Sequence, residues 1–474
     1  MTRYDECLRA LNTLQVSSRR HGAPRSAARQ RTKEWLTILG VDNSRFQSIT
    51  FIHIAGTKGK GTTALYCEHL LSQYQQKTES YVKLGCLTSP HVSDVRERIR
   101  LNAAPVSKEL FVQYFSEVYD RINDASLQTP LLSPEGSRDY PTIPGYPGFL
   151  ALLGLYIMYK EDVQIAVIET GVGGEHDSTN VIEHPVATGI TTLGLDHMNV
   201  LGPNLASIAW HKAGIFKKGV PAFTVKQDAE AMKTLEKRAL EKGTAGDLTV
   251  VSDDAILEYG LSVVPDRLYQ RRNAALALAL CGICLRTLDP GFTMTKEMAS
   301  VLQHTQLPGR SEILKDGQRT WLLSAAHNEL SMIEASHWFK AVLSLPEHAD
   351  TPHVLLFGHE SWRDKELILK RLHDIVCAEG QRFQQVIFCA HRSGIEDIKP
   401  DLADSRIDAP HASKLAKHHA HTWQNLSTQE ATVFGTVKEA VMFIQREYAS
   451  ATVLVGGHLY VAGAVRFLLQ PTAQ

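Results

Sequence analysis

The sequence predicts an α/β protein built on two parallel sheets, and three observations carry that prediction. Strand-like runs that are apolar on both faces alternate with helical patterns. They fall into two series, and a Pro-Gly break separates the series. At 474 residues, the chain is long enough for two or three domains. With 43% hydrophobic and 21% charged residues it has the apolar surface for ordinary cores, which excludes a disordered or collagen-like chain.

The elements follow in order. Asp5 and Glu6 ahead of Leu8, Leu11 and Leu14 at helical spacing predict a first helix. The acid-free, arginine-bearing stretch from Cys7 to Lys33 mildly resembles a transit peptide, and there is no apolar signal-peptide stretch, so a cytoplasmic location is the expectation, with a mitochondrial form left open. Strands are expected in FIHIAG (51–56), VQIAVIETG (163–171), ATGITTLG (187–194) and VPAFTV (220–225). The most apolar run, Gly148 to Tyr159, falls short of the roughly 20 residues that span a bilayer and reads as a buried helix. In AALALALCGICL, the CxxC formed by Cys281 and Cys284 reads as core thiols, and seven cysteines in so long a chain suit a reducing compartment.

Gln306, Leu307, Pro308, Gly309 and Arg310 break the pattern, which sets the boundaries at 1–306, a linker at 307–311, and 312–474. The second series is WLLSAAH, VLLFGH, QVIFCAH and TVLVGGH. Lys414 to His421, KLAKHHAH, reads as a solvated segment because no acidic or cysteine partner for a metal lies beside its histidines. A net charge of -1 argues against general affinity for nucleic acid or anionic membrane.

Chemistry concentrates in AGTKGKGTT, Ala55 to Thr63, placed after a strand and before a helical run. A glycine separates Lys60 from Thr62, a departure from the usual phosphate-loop spacing, but the context is the one a phosphate cradle requires. Gly56, Gly59 and Gly61 let backbone amides converge on phosphate oxygens, the helix N-terminus adds positive potential, and Lys60 supplies charge. Glu169 ends a strand on the edge where ligands bind in open parallel sheets, which suits a magnesium ligand, and His197 follows the next strand. Lys212, among small and apolar residues, is either a solvated helix lysine or a modifiable amine of lowered pKa.

Taken in order, GTKGKGTT, TSPH, RERIRLN, ETGVGGEHDSTN, LGLDH, HKAGIFKKGVPAF, QRRNAALAL, LPGR and VLVGGHLYVAG resemble the folylpolyglutamate synthases of the Mur ligase superfamily, from about residue 4 to 469. Lys58 resembles the eukaryotic type. The resemblance implies an N-terminal phosphate-loop ATPase domain with a parallel central sheet and a C-terminal Rossmann-like domain. It also implies ATP-dependent addition of glutamate to the γ-carboxylate of folyl-(poly)glutamate through an acyl phosphate. On the matching positions, it implies an ATP loop of Gly56, Thr57, Lys58, Gly59, Lys60, Gly61 and Thr62, with Asn273, Arg310 and Ser324 as further nucleotide contacts. Ser89, Glu169 and His197 match magnesium ligands, Lys212 matches a carbamylated lysine serving a second magnesium, and His327 joins Lys60 and Lys212 as a catalytic candidate. A monovalent cation is compatible with this set.

The implied partners are folate or another carboxylic acid, L-glutamate and ATP, taken by a monomer without nucleic acid or a membrane span. Two departures stand out: Ser324-Ala325-Ala326-His327 replaces the family's DGAH, and His458 and Tyr460 replace serine and histidine. They leave two alternatives open, a paralogue that joins an amino acid to another acid and a non-catalytic nucleotide-binding relative.

Overall fold

The computed structural model describes residues 2–20, 25–79, 81–128, 143–305, 307–359, 365–380, 382–396, 399–403, 409–427 and 429–470. Gln306, at the sequence-drawn boundary, and residues 21–24 of the arginine-bearing stretch lie outside them. The chain forms two compact units, residues 1–91 with 96–305, and residues 92–95 with 306–474.

The strands of the first unit are β1 (Thr50–Ala55), β2 (Leu84–Leu87), β3 (Ile99–Leu101), β4 (Ala104–Pro105), β5 (Ile165–Glu169), β6 (Ala187–Ile190), β7 (Ala222–Thr224) and β8 (Thr249–Val250). Among the described residues they form one sheet in the order β4-β3-β2-β5-β1-β6-β7-β8. From β2 to β8 the pairs are parallel, with Ile54 opposite Glu169 in the β1/β5 register and Ala55 opposite Ile190 in β1/β6. The β2/β3 and β3/β4 pairs are antiparallel, an edge that the apolar-run pattern does not reveal because these strands are only two to four residues long. Central strands are buried on both faces, Phe51, Ile52 and Ile54 completely, because helices cover both sides.

The expected buried helix runs from Tyr146 to Lys160 with Phe149, Leu152 and Leu153 fully enclosed. The first helix, Arg3–Arg20, buries Leu8, Leu11 and Leu14, as their spacing predicts. Cys281 and Cys284 lie in the helix Leu268–Leu288 as buried free thiols whose pKa burial pushes up, that of Cys284 to about 12. Inert core thiols, not redox chemistry, are what that environment makes.

In the second unit β9 (Arg310–Asp316), β10 (Gln318–Ser324), β11 (His353–Phe357), β12 (Gln385–Cys389), β13 (Thr432–Phe434) and β14 (Ser450–Gly456) pair in the order β13-β12-β11-β14-β10-β9. All pairs are parallel except the β9/β10 hairpin, whose sharp turn at Gly317 has φ +57°. Its two cores lie on opposite faces of the sheet. One contains Trp321, Val354, Val453 and Val461, the other Leu322, Phe339, Leu369 and Trp423.

Lys414 to His421 departs from the solvated segment expected. It lies within the helix Ala409–Ser427, and the His419 ring is wholly buried against Phe357 and Phe388 at 5.9 and 6.1 Å. Leu415, Ala416, His419 and Ala420 share a buried helix face while Lys414, Lys417 and His421 are exposed, so the tract is two turns of an amphipathic helix.

Residues 92–95 belong to the second unit through a buried ionic clamp. Val95 N donates to Asp401 Oδ1 at 2.7 Å, and Lys399 Nζ lies 3.0 Å from both Asp94 Oδ2 and Asp401 Oδ2. Gly463 admits the Val92 carbonyl, which a Cβ there would meet at 1.9 Å. No helix among the described residues is long and apolar enough to cross a membrane.

Candidate active site

The phosphate-loop candidate connects β1 to the helix Lys60–Thr78, and its shape is set by two glycines. Gly56 has φ +150°, and a Cβ there would lie 1.8 Å from Thr191 Oγ1. Gly59 caps the helix in the left-handed conformation, φ +88°, where a Cβ would lie 2.0 Å from Asn273 Oδ1. Both positions exclude a side chain by conformation and by space. The helix therefore starts at the end of the loop that leaves β1, with Gly61 and Thr62 in its opening turn, where its first amide groups have no partner within the helix.

Four contacts hold this loop to the segment after β6. Thr57 N and Lys58 N both donate to Thr192 O at 3.0 Å. Thr57 Oγ1 donates to Gly194 O and accepts from Gly194 N, each at 3.2 Å. Asn273, buried in the helix Leu268–Leu288, holds its own amide with Nδ2 donating to Gln270 Oε1 at 3.0 Å.

Two other lysines converge on the loop. Lys60 Nζ stands 3.8 Å from Glu169 Oε1, and Glu169, at the end of β5, is 3% exposed. Its other oxygen accepts the Ser89 backbone N–H at 2.7 Å, so the parallel β2 and β5 bring together Ser89 and Glu169, two residues that the family resemblance groups. Lys212, at the end of the helix Leu205–Lys212, is 3% exposed and donates from Nζ to Gly56 O at 2.6 Å. Burial, then the charges of Lys60 and Lys58, drives the Lys212 ammonium well below its ordinary value, with Asp196 and Asp177 opposing. The solvated helix lysine is thereby overturned.

His197 lies at the other limit of the set. It is the N-cap of the short helix Met198–Leu201, in the left-handed region at φ +51°, and its side chain is half exposed. Its backbone N–H donates to Asp196 Oδ1 at 2.9 Å, and the other carboxylate oxygen of Asp196 faces Lys58 Nζ at 3.3 Å. Sequence reasoning passed over Asp196. The signal was present, an acid next to His197 in the loop after a strand.

Oxygen donors and three lysines around a helix N-terminus suit a polyphosphate. Among the described residues no three of His, Cys, Asp and Glu form a group able to hold a metal ion alone. A magnesium ion shared with phosphate oxygens fits the donors that are present, since it takes few protein carboxylates and keeps octahedral oxygen ligands from substrate and water.

The remaining candidates belong to the second unit. Arg310 opens β9, and the β9/β10 register sets Ser324 opposite it, with an irregularity between Leu323 and Ser324. Ser324 is buried and its Oγ accepts the Ala326 N–H at 3.3 Å, a local turn contact. His327 is exposed, with Nδ1 2.9 Å from Ala325 O. His458 caps the helix Leu459–Leu469, its Nδ1 accepting the Tyr460 N–H at 3.2 Å, so this departure from the family pattern has a structural use.

No family model matches the chain. The solved folylpolyglutamate synthase of Mycobacterium tuberculosis, complexed with ADP and AMPPCP, superposes with TM-score 0.72 at 20% identity, covering 99% of this chain and 100% of that one. A folylpolyglutamate synthase structure holding AMPPCP and folate superposes with TM-score 0.67 at 21% identity, over 98% and 99%. At such identities the likeness is one of fold. Sequence relatives reach further: the folylpolyglutamate synthase of Neurospora crassa is 34% identical over 457 residues, 92% of this chain and 85% of that protein. That of Saccharomyces cerevisiae is 34% identical over 491 residues, 98% and 86%. With a two-sheet fold, a phosphate-loop geometry and full-length similarity of this extent, the chain belongs to the folylpolyglutamate synthase family, whose members are ATP-dependent ligases.

Proposed function

We propose that the chain binds ATP at Gly56–Thr62 and joins L-glutamate to the γ-carboxylate at the end of a folate's glutamate tail. The observation that carries the reading is the convergence of Lys58, Lys60 and Lys212 on one glycine-built loop at a helix N-terminus. In the first step the tail carboxylate attacks the γ-phosphorus of ATP, the bond to ADP breaks, and an acyl phosphate forms. In the second the amine of glutamate attacks the acyl carbon, phosphate leaves, and the amine's proton passes to solvent or a base. Both steps rest on positioning and on neutralising phosphoryl charge. Lys60 and the amides of Gly59, Gly61 and Thr62 supply that charge, while Asn273 shapes the floor of the loop at Gly59.

Ser89, Glu169 and His197 are the residues assigned to magnesium, which when bound neutralises phosphate oxygens. Glu169 contributes a buried carboxylate whose charge Lys60 balances, and Ser89, whose backbone N–H meets that carboxylate, carries the hydroxyl assigned to the ion. Lys212, buried and with its pKa lowered chiefly by that burial, is suited to carbamylation: the neutral form of its amine would add to carbon dioxide with loss of one proton, and the carbamate's charge would help hold a second magnesium. A monovalent cation is compatible with the same loop. The family resemblance assigns Arg310 at the start of β9 and Ser324 at the end of β10 to the nucleotide, and His327 in the loop after β10 to the catalytic step.

Seven free cysteines support a reducing, cytoplasmic setting or its mitochondrial counterpart. The test is mass spectrometry of purified protein with tetrahydrofolate, glutamate and ATP. The expected product is folate lengthened by glutamate. ATP consumption only with a different acid as acceptor supports the paralogue reading, for which Ser324 in place of an aspartate is the motive, and nucleotide binding without any ligation supports the non-catalytic one.

A further inference from the structure

We propose that Asp196 is a positioning residue that couples the phosphate loop to the loop carrying His197. Its carboxylate faces both at once. Oδ2 lies 3.3 Å from Lys58 Nζ, and Oδ1 accepts the His197 backbone N–H at 2.9 Å. The side chains of Lys58 and Asp196 are only 21% and 24% exposed, so the pair is not the fully solvated kind whose contribution averages near zero. It also rests on a rigid base. The backbone bonds of Thr57 and Lys58 to Thr192, and the paired bonds of Thr57 Oγ1 to Gly194, fix the two loops at their roots, leaving the Lys58 and Asp196 side chains to close the far end.

The consequence for Lys58 is pre-organisation. A lysine side chain left to itself loses much rotamer freedom when it meets a ligand, and an ammonium has three N–H donors. Held by Asp196, Lys58 stays beside the loop, where its ammonium is placed before a phosphate arrives. On the other side, Asp196 holds His197 in a left-handed conformation that a residue with a Cβ adopts at some cost. One carboxylate thereby orders a phosphate-binding lysine and a candidate metal ligand. The inference rests on the nucleotide site proposed above and is independent of which acid is lengthened.

The test is a double-mutant cycle on the full chain, read by calorimetric binding of AMPPCP with magnesium, with the thermal midpoint as a check on folding. Lys58→Met and Asp196→Asn are each expected to weaken binding about tenfold, and the pair together also about tenfold, because the two act through one contact. Asp196→Glu restores most of the affinity. In turnover, Asp196→Asn raises the KM for ATP and leaves kcat within about twofold, since the amide oxygen still accepts from His197, whereas Asp196→Ala lowers kcat as well. Losses that multiply to about a hundredfold in the double variant, or wild-type binding by Asp196→Asn, overturn the proposal. Because the cycle reads nucleotide binding, wild-type protein that binds AMPPCP but leaves folate unextended refutes only the folate reading.

Discussion

Lys60 and Lys212 sit within a few residues' reach of the same glycine loop, yet their surroundings give them opposite tasks. Lys60 faces the buried carboxylate of Glu169 and so keeps a counter-charge until phosphate arrives. Lys60→Ala is expected to abolish ATP turnover while the thermal midpoint stays close to wild type, because the side chain meets charge and fills no core; half the wild-type rate would remove the phosphate-loop reading. Lys212 donates to the Gly56 carbonyl and is buried, with the cations Lys60 and Lys58 near it and Asp196 and Asp177 opposing them. Lys212→Ala is expected to lose ligation but retain AMPPCP binding, with part of the rate returned by high acetate or formate. Failure of that rescue together with a plain amine in electron density from bicarbonate-grown crystals counts against carbamylation.

A third lysine gives a test by pH. Lys217 donates to Asn180 Oδ1 at 2.7 Å, and burial lowers its pKa from 10.5 to about 7. Between pH 7 and the unfolded value the unfolded chain binds more protons, so this group makes stability rise with pH across that window, by at most about 1.4 kcal/mol per pH unit. Denaturant titrations of Lys217→Met should show a flatter rise between pH 7 and 9 than wild type. An unchanged slope would mean Lys217 titrates as a solvated lysine.

Elements explain where these residues can stand. β1 and β5 end side by side, with Ile54 opposite Glu169, so a loop leaving β1 and a carboxylate ending β5 share one edge of the sheet. Gly59 shows how tightly the loop is bounded. Gly59→Ala forces a Cβ onto Asn273 Oδ1 and a side chain into the left-handed region, and AMPPCP binding should fall at least tenfold by calorimetry with little change in secondary structure. In the second unit the excursion of residues 92–95 depends on Asp401, whose carboxyl is pushed up chiefly by burial and drawn down by Lys399. Asp401→Ala leaves Val95 N–H without its acceptor and Lys399 without one of its two carboxylates. A loss of about 3 kcal/mol in stability is expected, with the Val95 amide losing hydrogen-exchange protection. Retained protection at Val95 would show that Val92 and Gly463 hold the excursion without the clamp.

For the whole molecule the question is how Ser324 serves at the position where the family resemblance implies an aspartate. The register puts it opposite Arg310, so an acid at 324 would stand across the hairpin from a cation. Ser324→Asp is expected to lower the apparent ATP requirement by about tenfold, the worth of one hydrogen bond to a charged group, and to leave the acceptor unchanged. If the ATP requirement does not move while the acceptor does, position 324 bears on the acid substrate and not on the nucleotide.

Much of this was legible in the sequence because local pattern and local chemistry coincide there. Apolar runs on both faces require strands covered from both sides, Gly-Lys-Gly between a strand and a helix requires a bent loop, and a run such as Gly148 to Tyr159 requires burial. What the tertiary structure alone decided are facts of juxtaposition across long separations. Lys212 lies 156 residues from the carbonyl it meets, and Lys58 lies 138 from Asp196. His419 is buried because its helix face closes on Phe357 and Phe388, not because of anything in KLAKHHAH. The short antiparallel strands and the excursion of residues 92–95 escaped for a related reason. Two to four residues carry too little periodicity to declare a partner, and an ionic clamp assembled from Asp94, Lys399 and Asp401 exists only once folding has brought the three together.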